Sequence, residues 1–194
     1  MIIDISQEIL SCNIYPGDPV PEAIKQMDMS KGDLYNLTSL SMGCHNGTHI
    51  DAPAHFLKDG KTVDGLCLDS CVGKCYVAHC QGDVTASTAI DIMEKRTKAG
   101  APQRILLEGD CVVTLEAAQV FADNKILLIG NESQSVGPVN APMAVHKTLL
   151  GRGVVLLEGI VLKNVAEGVY FLSALPLNIA GAEGSPCRAY LIEE

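Results

Sequence analysis

The strongest constraint on the fold is a set of short runs that are apolar at almost every position. Arg104-Ile-Leu-Leu-Glu, Lys125-Ile-Leu-Leu-Ile-Gly and Val154-Val-Leu-Leu-Glu-Gly-Ile show no alternation of polar and apolar residues. A strand with one face in water alternates, so these runs read as strands covered on both faces. Helical stretches lie between and beside them. Asp83 to Ala99 is amphipathic, with Asp83 or Thr85 as N-cap and Gly100 and Pro102 beyond its end. Thr114 to Ala122 opens on a Thr cap, and Ala144 to Leu150 closes at Gly151. Buried strands separated by helices predict parallel pairing and an α/β fold.

Ile2 to Ile9, an extended region from Leu34 to Asp51, and Cys75 to His79 supply further strands, and Tyr170 to Ile192 reads as two more. Tyr15-Pro-Gly-Asp-Pro is a rigid turn, because its prolines fix φ while its glycine frees it. No internal repeat or long linker interrupts the chain, so residues 1–194 are expected to form one domain with a mixed sheet.

Composition narrows the partners. The 194 residues are 47% apolar and 19% charged, enough apolar material for a core and too much for bulk disorder. Only 14 Lys and Arg stand against 23 Asp and Glu, for a net charge of −9. A phosphate backbone requires clustered positive charge, so nucleic acid is not an expected partner. No apolar run approaches the roughly 20 residues of a membrane span. Met1-Ile-Ile-Asp lacks the basic opening of a secretory leader, so the expected location is cytoplasmic, with no membrane association.

Eight cysteines invite two readings. Cys67, Cys71 and Cys75 recur every fourth residue, but Gly65 and Gly73 argue against a continuous helix that would converge them. Structural zinc sites favour paired cysteines with a second pair further on. The cysteines therefore read as small apolar residues in a reducing compartment, with a thiol-metal site as the competing reading.

The histidines are distributed differently. Three of five fall in His45-Asn-Gly-Thr-His49-Ile-Asp51-Ala-Pro-Ala-His55-Phe. In an extended backbone, His45, His49 and Asp51 share a face, and two imidazoles with a carboxylate suit zinc or manganese. A flat strand would hold His45 and His49 roughly 13 Å apart, so the chain must bend, and Gly47 is placed to permit it. Glu158 is the second signal, because a carboxylate inside an apolar strand costs several kcal/mol unless something positive meets it. A metal ion would do so, as would Arg152 or Lys163. His146 alone is a weaker signal, as a histidine in a helix is commonly packed or at the surface.

Together these residues resemble the cyclase family of metal-dependent hydrolases, which includes bacterial kynurenine formamidases and isatin hydrolases. His45-x-Gly-Thr-His49-x-Asp51-x-Pro-x-His55 is similar to its signature, and His146 to Glu158 to its second ligand block. Tyr15-Pro-Gly-Asp resembles its early turn, and Gly184-Ser-Pro-Cys-Arg-Ala its C-terminal strands. The resemblance implies a swivelling β/β/α domain and two divalent metal ions per chain, Zn or Mn. It implies His45 and His49 on one ion, His146 on the other, Asp51 and Glu158 bridging both, and His55 transferring protons. It further implies a homodimer or homotetramer acting on a small-molecule substrate: an amide, formamide, cyclic amide or lactone. Tyr15 would contact that substrate, where formamidases usually carry Trp. The segment Glu108-Gly-Asp-Cys-Val-Val, and Gln134 and Ser135 in the loop after Gly130, also depart from the formamidase pattern. These departures concern the substrate and leave a second reading, a catalytically silent metal-binding protein on the same fold.

Overall fold

The computed structural model describes residues 1–100 and 102–193. In chain order the elements are β1 (Ile2–Asp4), β2 (Glu22–Met27), β3 (Leu37–Ser41), β4 (His49–Asp51), β5 (Val72–His79) and β6 (Gly82–Val84). Then follow α1 (Ala86–Lys98), β7 (Arg104–Glu108), β8 (Cys111–Val113), α2 (Leu115–Asp123) and β9 (Leu128–Asn131). The last are α3 (Met143–Leu150), β10 (Val155–Glu158), β11 (Gly168–Ser173), β12 (Gly184–Pro186) and β13 (Tyr190–Ile192).

Nine strands form one mixed sheet in the order β1-β13-β11-β5-β7-β9-β10-β4-β12. At its centre β5, β7, β9 and β10 run parallel, as the all-apolar runs predict, and the outer pairings are antiparallel. Alternation along these strands divides the core in two. Ile105, Leu107, Ile129 and Leu156 pack with Phe121, Val145 and Leu149 from α2 and α3. Leu106, Leu128, Val155 and Leu157 pack on the opposite face with Ile50, Val77 and Leu172. Period two carries Glu158 to the α3 face with Leu156. Register then adds the rest, because Leu156 pairs with Asp51 and Glu158 with His49 across the β10–β4 ladder.

Several boundaries differ from the sequence expectation for local reasons. The strand expected over Ile2–Ile9 stops at Asp4, and by Glu8 the side-chain carboxylate accepts the N–H groups of Leu10 and Ser11, closing a turn. The extended region from Leu34 to Asp51 is two strands, interrupted where Asn46 Oδ1 accepts the Gly43 N–H and Gly47 adopts φ +65°. The helix expected from Asp83 starts at Ala86, with Thr85 as its cap, because Gly82–Val84 pairs with β8. Lys125, at φ 54°, completes the turn after α2, so the next strand begins only at Leu128. Gly159, at φ +67°, ends β10. The C-terminal region holds three strands where two were expected.

The β2–β3 hairpin was not anticipated. Its pairing shifts register between Lys25 and Met27, and Ile24, Leu37 and Leu40 are each about half exposed on it. Thr48 explains the middle of the histidine motif. Its buried hydroxyl donates to the Gly159 carbonyl at 2.6 Å and accepts the Gln7 N–H at 2.9 Å, tying the entry of β4 to the exit of β10. No described helix is long and apolar enough to cross a membrane.

Candidate metal centre

The sheet brings together His45, His49, Asp51, His146 and Glu158, with His55 beside them. β4 carries His49 and Asp51 on one face, β10 supplies Glu158 opposite, and the second turn of α3 presents His146 over both. His45 arrives from the bent segment before β4, so the bend expected at Gly47 is present although the continuous strand is not. His55 closes a short 3-10 turn, Pro53–His55, started by the fixed φ of Pro53.

The donor atoms converge. His49 Nε2 lies 3.4 Å from both Asp51 Oδ1 and Glu158 Oε2. His146 Nε2 lies 3.2 Å from Glu158 Oε1 and 3.7 Å from Asp51 Oδ2. Ligand atoms on one tetrahedral ion, with bonds of about 2.0–2.2 Å, are roughly 3.3–3.6 Å apart, so these spacings fit a shared cation. Two groups of donors are each close enough to hold an ion: His45, His49 and Asp51, and Asp51, His146 and Glu158. Asp51 belongs to both. Its Oδ2 is buried without a hydrogen-bond partner, an unmet acceptor that a cation would satisfy.

Ring orientation fits the same use. His49 Nδ1 faces the Gly47 carbonyl at 3.0 Å, and His146 Nδ1 faces the Pro142 carbonyl at 2.9 Å. A carbonyl only accepts, so each Nδ1 carries a hydrogen. Nε2 is the nitrogen turned toward the carboxylates, where its lone pair would meet a cation once any proton there is displaced. His45 differs. Its Nδ1 is 2.8 Å from Asp51 Oδ1, and its Nε2 is 3.2 Å from Glu183 Oε1. Gly184 makes room for that ring, since a Cβ there would stand 2.4 Å from His45 Cε1.

Electrostatics follow from this packing. Glu158 is fully buried, yet neither Arg152 nor Lys163 serves it. Arg152 pairs with Asp123 at 3.6 Å, and Glu158 Oε1 instead accepts the Val136 N–H at 2.7 Å. Burial and the adjacent Asp51 push the Glu158 carboxyl up, but its contacts with His146 and His49 outweigh them and leave it below its usual value. Burial likewise works against charge on Asp51, and His45 and His49 prevail, keeping it ionised. His49 is the counterpart: burial disfavours its cation, but Asp51 and Glu158 raise its pKa to about 10. For His55, burial dominates and lowers the pKa below the ordinary imidazole value, against the nearby Asp51 charge. The six residues therefore divide into a tightly charge-paired set and one imidazole that stays neutral.

A cavity of about 190 Å³ opens onto this set. Tyr15, Asp18, Phe56, Gln134 and Ser135 wall it. The Tyr15 hydroxyl is engaged with the Val139 carbonyl at 2.6 Å, so it offers the cavity a ring rather than a donor. Phe56 packs 4.6 Å from the His146 ring, and the exposed Tyr35 does not line the cavity. Among the described residues no group of donors able to share an ion includes a cysteine. Cys71 and Cys75 are packed in the core below the sheet, as the apolar reading of the cysteines has it. Glu183 was not anticipated, since it lies in an unremarkable polar turn 138 positions from its partner His45. Only the pairing of β12 with β4 brings it there.

The Cyclase family model matches residues 3–138. A kynurenine formamidase from Salinibacter ruber is 32% identical, with 98% of this chain and 96% of that protein aligned. Among solved structures, one described as a potential metal-dependent hydrolase with cyclase activity superposes with a TM-score of 0.81 at 26% identity. It covers 98% of this chain and 96% of its own. Isatin hydrolase A from Labrenzia aggregata shares the fold, with a TM-score of 0.84 at 20% identity, covering 100% of this chain and 94% of its own.

Because His49 is protonated at neutral pH in the metal-free chain, a cation must displace that proton to reach Nε2. Titration of metal-free protein with Zn²⁺ or Mn²⁺ at pH 7.5 is expected to release about one proton or more per chain. Calorimetry in buffers of different ionisation enthalpy reads this directly. A binding enthalpy that does not vary with the buffer contradicts it.

Proposed function

The chain belongs to the cyclase family, and from that premise we propose that it is a hydrolase using two divalent cations, Zn or Mn. Its substrate is a small molecule with an amide, formamide, cyclic amide or lactone carbonyl, and the bond cleaved is a C–N bond other than a peptide bond where the substrate is an amide. One observation carries this reading: two groups of metal donors share the buried Asp51, and a neutral imidazole stands beside them, with His55 Nε2 4.0 Å from Asp51 Oδ2. The similarity to a kynurenine formamidase supports the choice of an amide-type carbonyl.

His45, His49 and Asp51 would hold one cation and Asp51, His146 and Glu158 the other, with Glu158 also within reach of the first through His49. Such a pair supplies Lewis-acid activation of water and of a substrate carbonyl. The chain's own residues do the rest. The Val136 N–H and the two Nδ1-anchored rings fix where the donors point, so the site is organised before substrate enters. His55 Nε2, neutral at working pH, takes the proton of the attacking water and returns it to the departing nitrogen or oxygen. The ring lies stacked on His45 with centroids 4.1 Å apart and edge-on to Phe56, which restricts its swing. Tyr15 and Phe56 offer aromatic faces to the substrate, and Gln134 offers an amide whose two polar atoms are buried and unpartnered.

A homo-oligomer belongs to the same proposal. A two-stranded hairpin is marginal in water on its own, and Ile24, Leu37 and Leu40 lie uncovered on β2–β3, so a second copy of this chain is the occupant that fits.

On an arylformamide such as N-formylkynurenine, His55→Ala is expected to lower kcat about 10²–10⁴-fold while metal content and folding are retained. The wild-type kcat/KM should fall on the acid side, since His55 works unprotonated and loses that form as pH drops. The midpoint should lie below the ordinary imidazole value of 6.5. A variant with full activity, or an acid limb that does not move when His55 is replaced, removes His55 from the proton path. Light scattering should give a mass of at least about twice 20.6 kDa, and a monomer would rule out the oligomer.

A further inference from the structure

Two cysteines away from the metal centre lie against each other. Cys80 follows the last residue of β5, and Cys111 opens β8. Their Sγ atoms are 3.2 Å apart. Backbone pairing holds them there: the Cys80 N–H donates to the Glu108 carbonyl at 2.9 Å, and the Gly82 N–H to the Asp110 carbonyl at 2.8 Å. Gly82 is also the ladder partner of Cys111 in the β6–β8 pair. A disulfide bond is about 2.05 Å long, so roughly an ångström of closure separates the two thiols from a bond.

The two sulfurs differ in a way that suits sequential chemistry. Cys80 is half-buried, whereas Cys111 is 3% exposed. Their mutual hydrogen bond lowers the Cys80 pKa, against burial, and raises that of Cys111. Cys80 is thus the reachable sulfur that ionises first, and Cys111 the protonated neighbour. Other thiols are held inert, the buried Cys71 at about 11 and Cys75 and the partly buried Cys187 at about 12, all pushed up mainly by burial.

We propose that Cys80 and Cys111 are an oxidisable dithiol, closed to an intramolecular disulfide by a small neutral peroxide. The Cys80 thiolate attacks one peroxide oxygen, the O–O bond breaks, and the departing hydroxide takes a proton to become water. This leaves Cys80 as a sulfenic acid. Cys111 sulfur then attacks Cys80 sulfur, the S–S bond forms as the S–O bond breaks, and the hydroxyl leaves as water with the Cys111 proton. Two thiols and one peroxide give one disulfide and two waters.

Charge selects the oxidant. Glu108, Glu132 and Glu167 act on Cys80, and Glu132 and Asp110 on Cys111. A cleft of about 380 Å³ lined by Asp110, Cys111, Glu132 and Ser133 reaches the Cys111 side of the pair. An anionic oxidant such as glutathione disulfide is repelled there, and hydrogen peroxide is not. The dithiol also stands on a strand that braces the metal centre. Two residues beyond Cys111, the Val113 N–H donates to the Val136 carbonyl at 2.9 Å, and the Val136 N–H holds Glu158.

The test is thiol counting and peptide mapping of the full chain after brief exposure to hydrogen peroxide. Alkylatable thiols are expected to fall by two from eight, with Cys80 and Cys111 peptides linked and both recovered by dithiothreitol. Glutathione disulfide at the same concentration should react at least about tenfold more slowly. In Cys111→Ser, a sulfenic-acid probe should label Cys80, and Cys80→Ser should lose no thiol pair. The wild-type map is decisive without either variant. If Cys80 and Cys111 stay alkylatable while other cysteines oxidise, or if Cys80 runs to sulfinic acid unlinked, the proposal is overturned. Equal reaction with glutathione disulfide overturns the charge selection.

Discussion

The carboxylate of Asp51, enclosed at the centre of the site, is the interaction around which the rest is arranged. It is fully buried, near a second buried carboxylate, Glu158, and repulsion between them is intolerable without nearby positive charge. His45, His49 and His146 are placed to provide it. In the metal-free chain His49 carries a proton between the carboxylates, and divalent cations would do the same task with greater charge. The two arrangements use the same donor atoms, so loading the site exchanges protons for metal without requiring a new fold.

Much of this site was visible in the sequence because its residues break local rules. Glu158 sits in a run whose all-apolar character demands another apolar side chain, and a violation of that kind points to function. The histidine motif was visible because Gly47, Thr48 and Pro53 exclude a helix, leaving an extended or bent backbone that gathers its side chains. His146 was less visible, since nothing in its own helix distinguishes a ligand from a packed histidine, and only the α3–β10 contact with Glu158 does so. Glu183 and the Cys80–Cys111 pair were not legible at all. Each depends on a strand register, β12 on β4 and β6 on β8, that no local pattern encodes. The first strand of the β2–β3 hairpin was hidden for another reason: Glu22 to Met27 lies on no covered face and carries no clean alternation, whereas Leu37 to Ser41 falls inside the extended region read from Leu34 to Asp51.

The parallel strands also explain why the site lies where it does. β9 and β10 end at Asn131 and Glu158, and the loop after β9 supplies Gln134 and Ser135 to the cavity and the Val136 N–H to Glu158. Ligand sites in open α/β sheets form beyond the carboxyl ends of such strands. Here the antiparallel β4 is added at that end, and its two donors face Glu158 in register. Under the proposed function, substrate choice would fall to Tyr15, Asp18, Phe56 and Gln134, which line the cavity from segments outside the sheet.

Metal analysis of the purified chain is the most direct measurement of whether the shared carboxylate organises a pair of cations. Loaded with zinc or manganese and freed of excess ion, the wild-type protein should retain two ions per chain, and Asp51→Ala should retain neither tightly. A folded wild-type chain that holds no divalent ion, or an Asp51→Ala chain that holds as many as the wild type, would contradict the account.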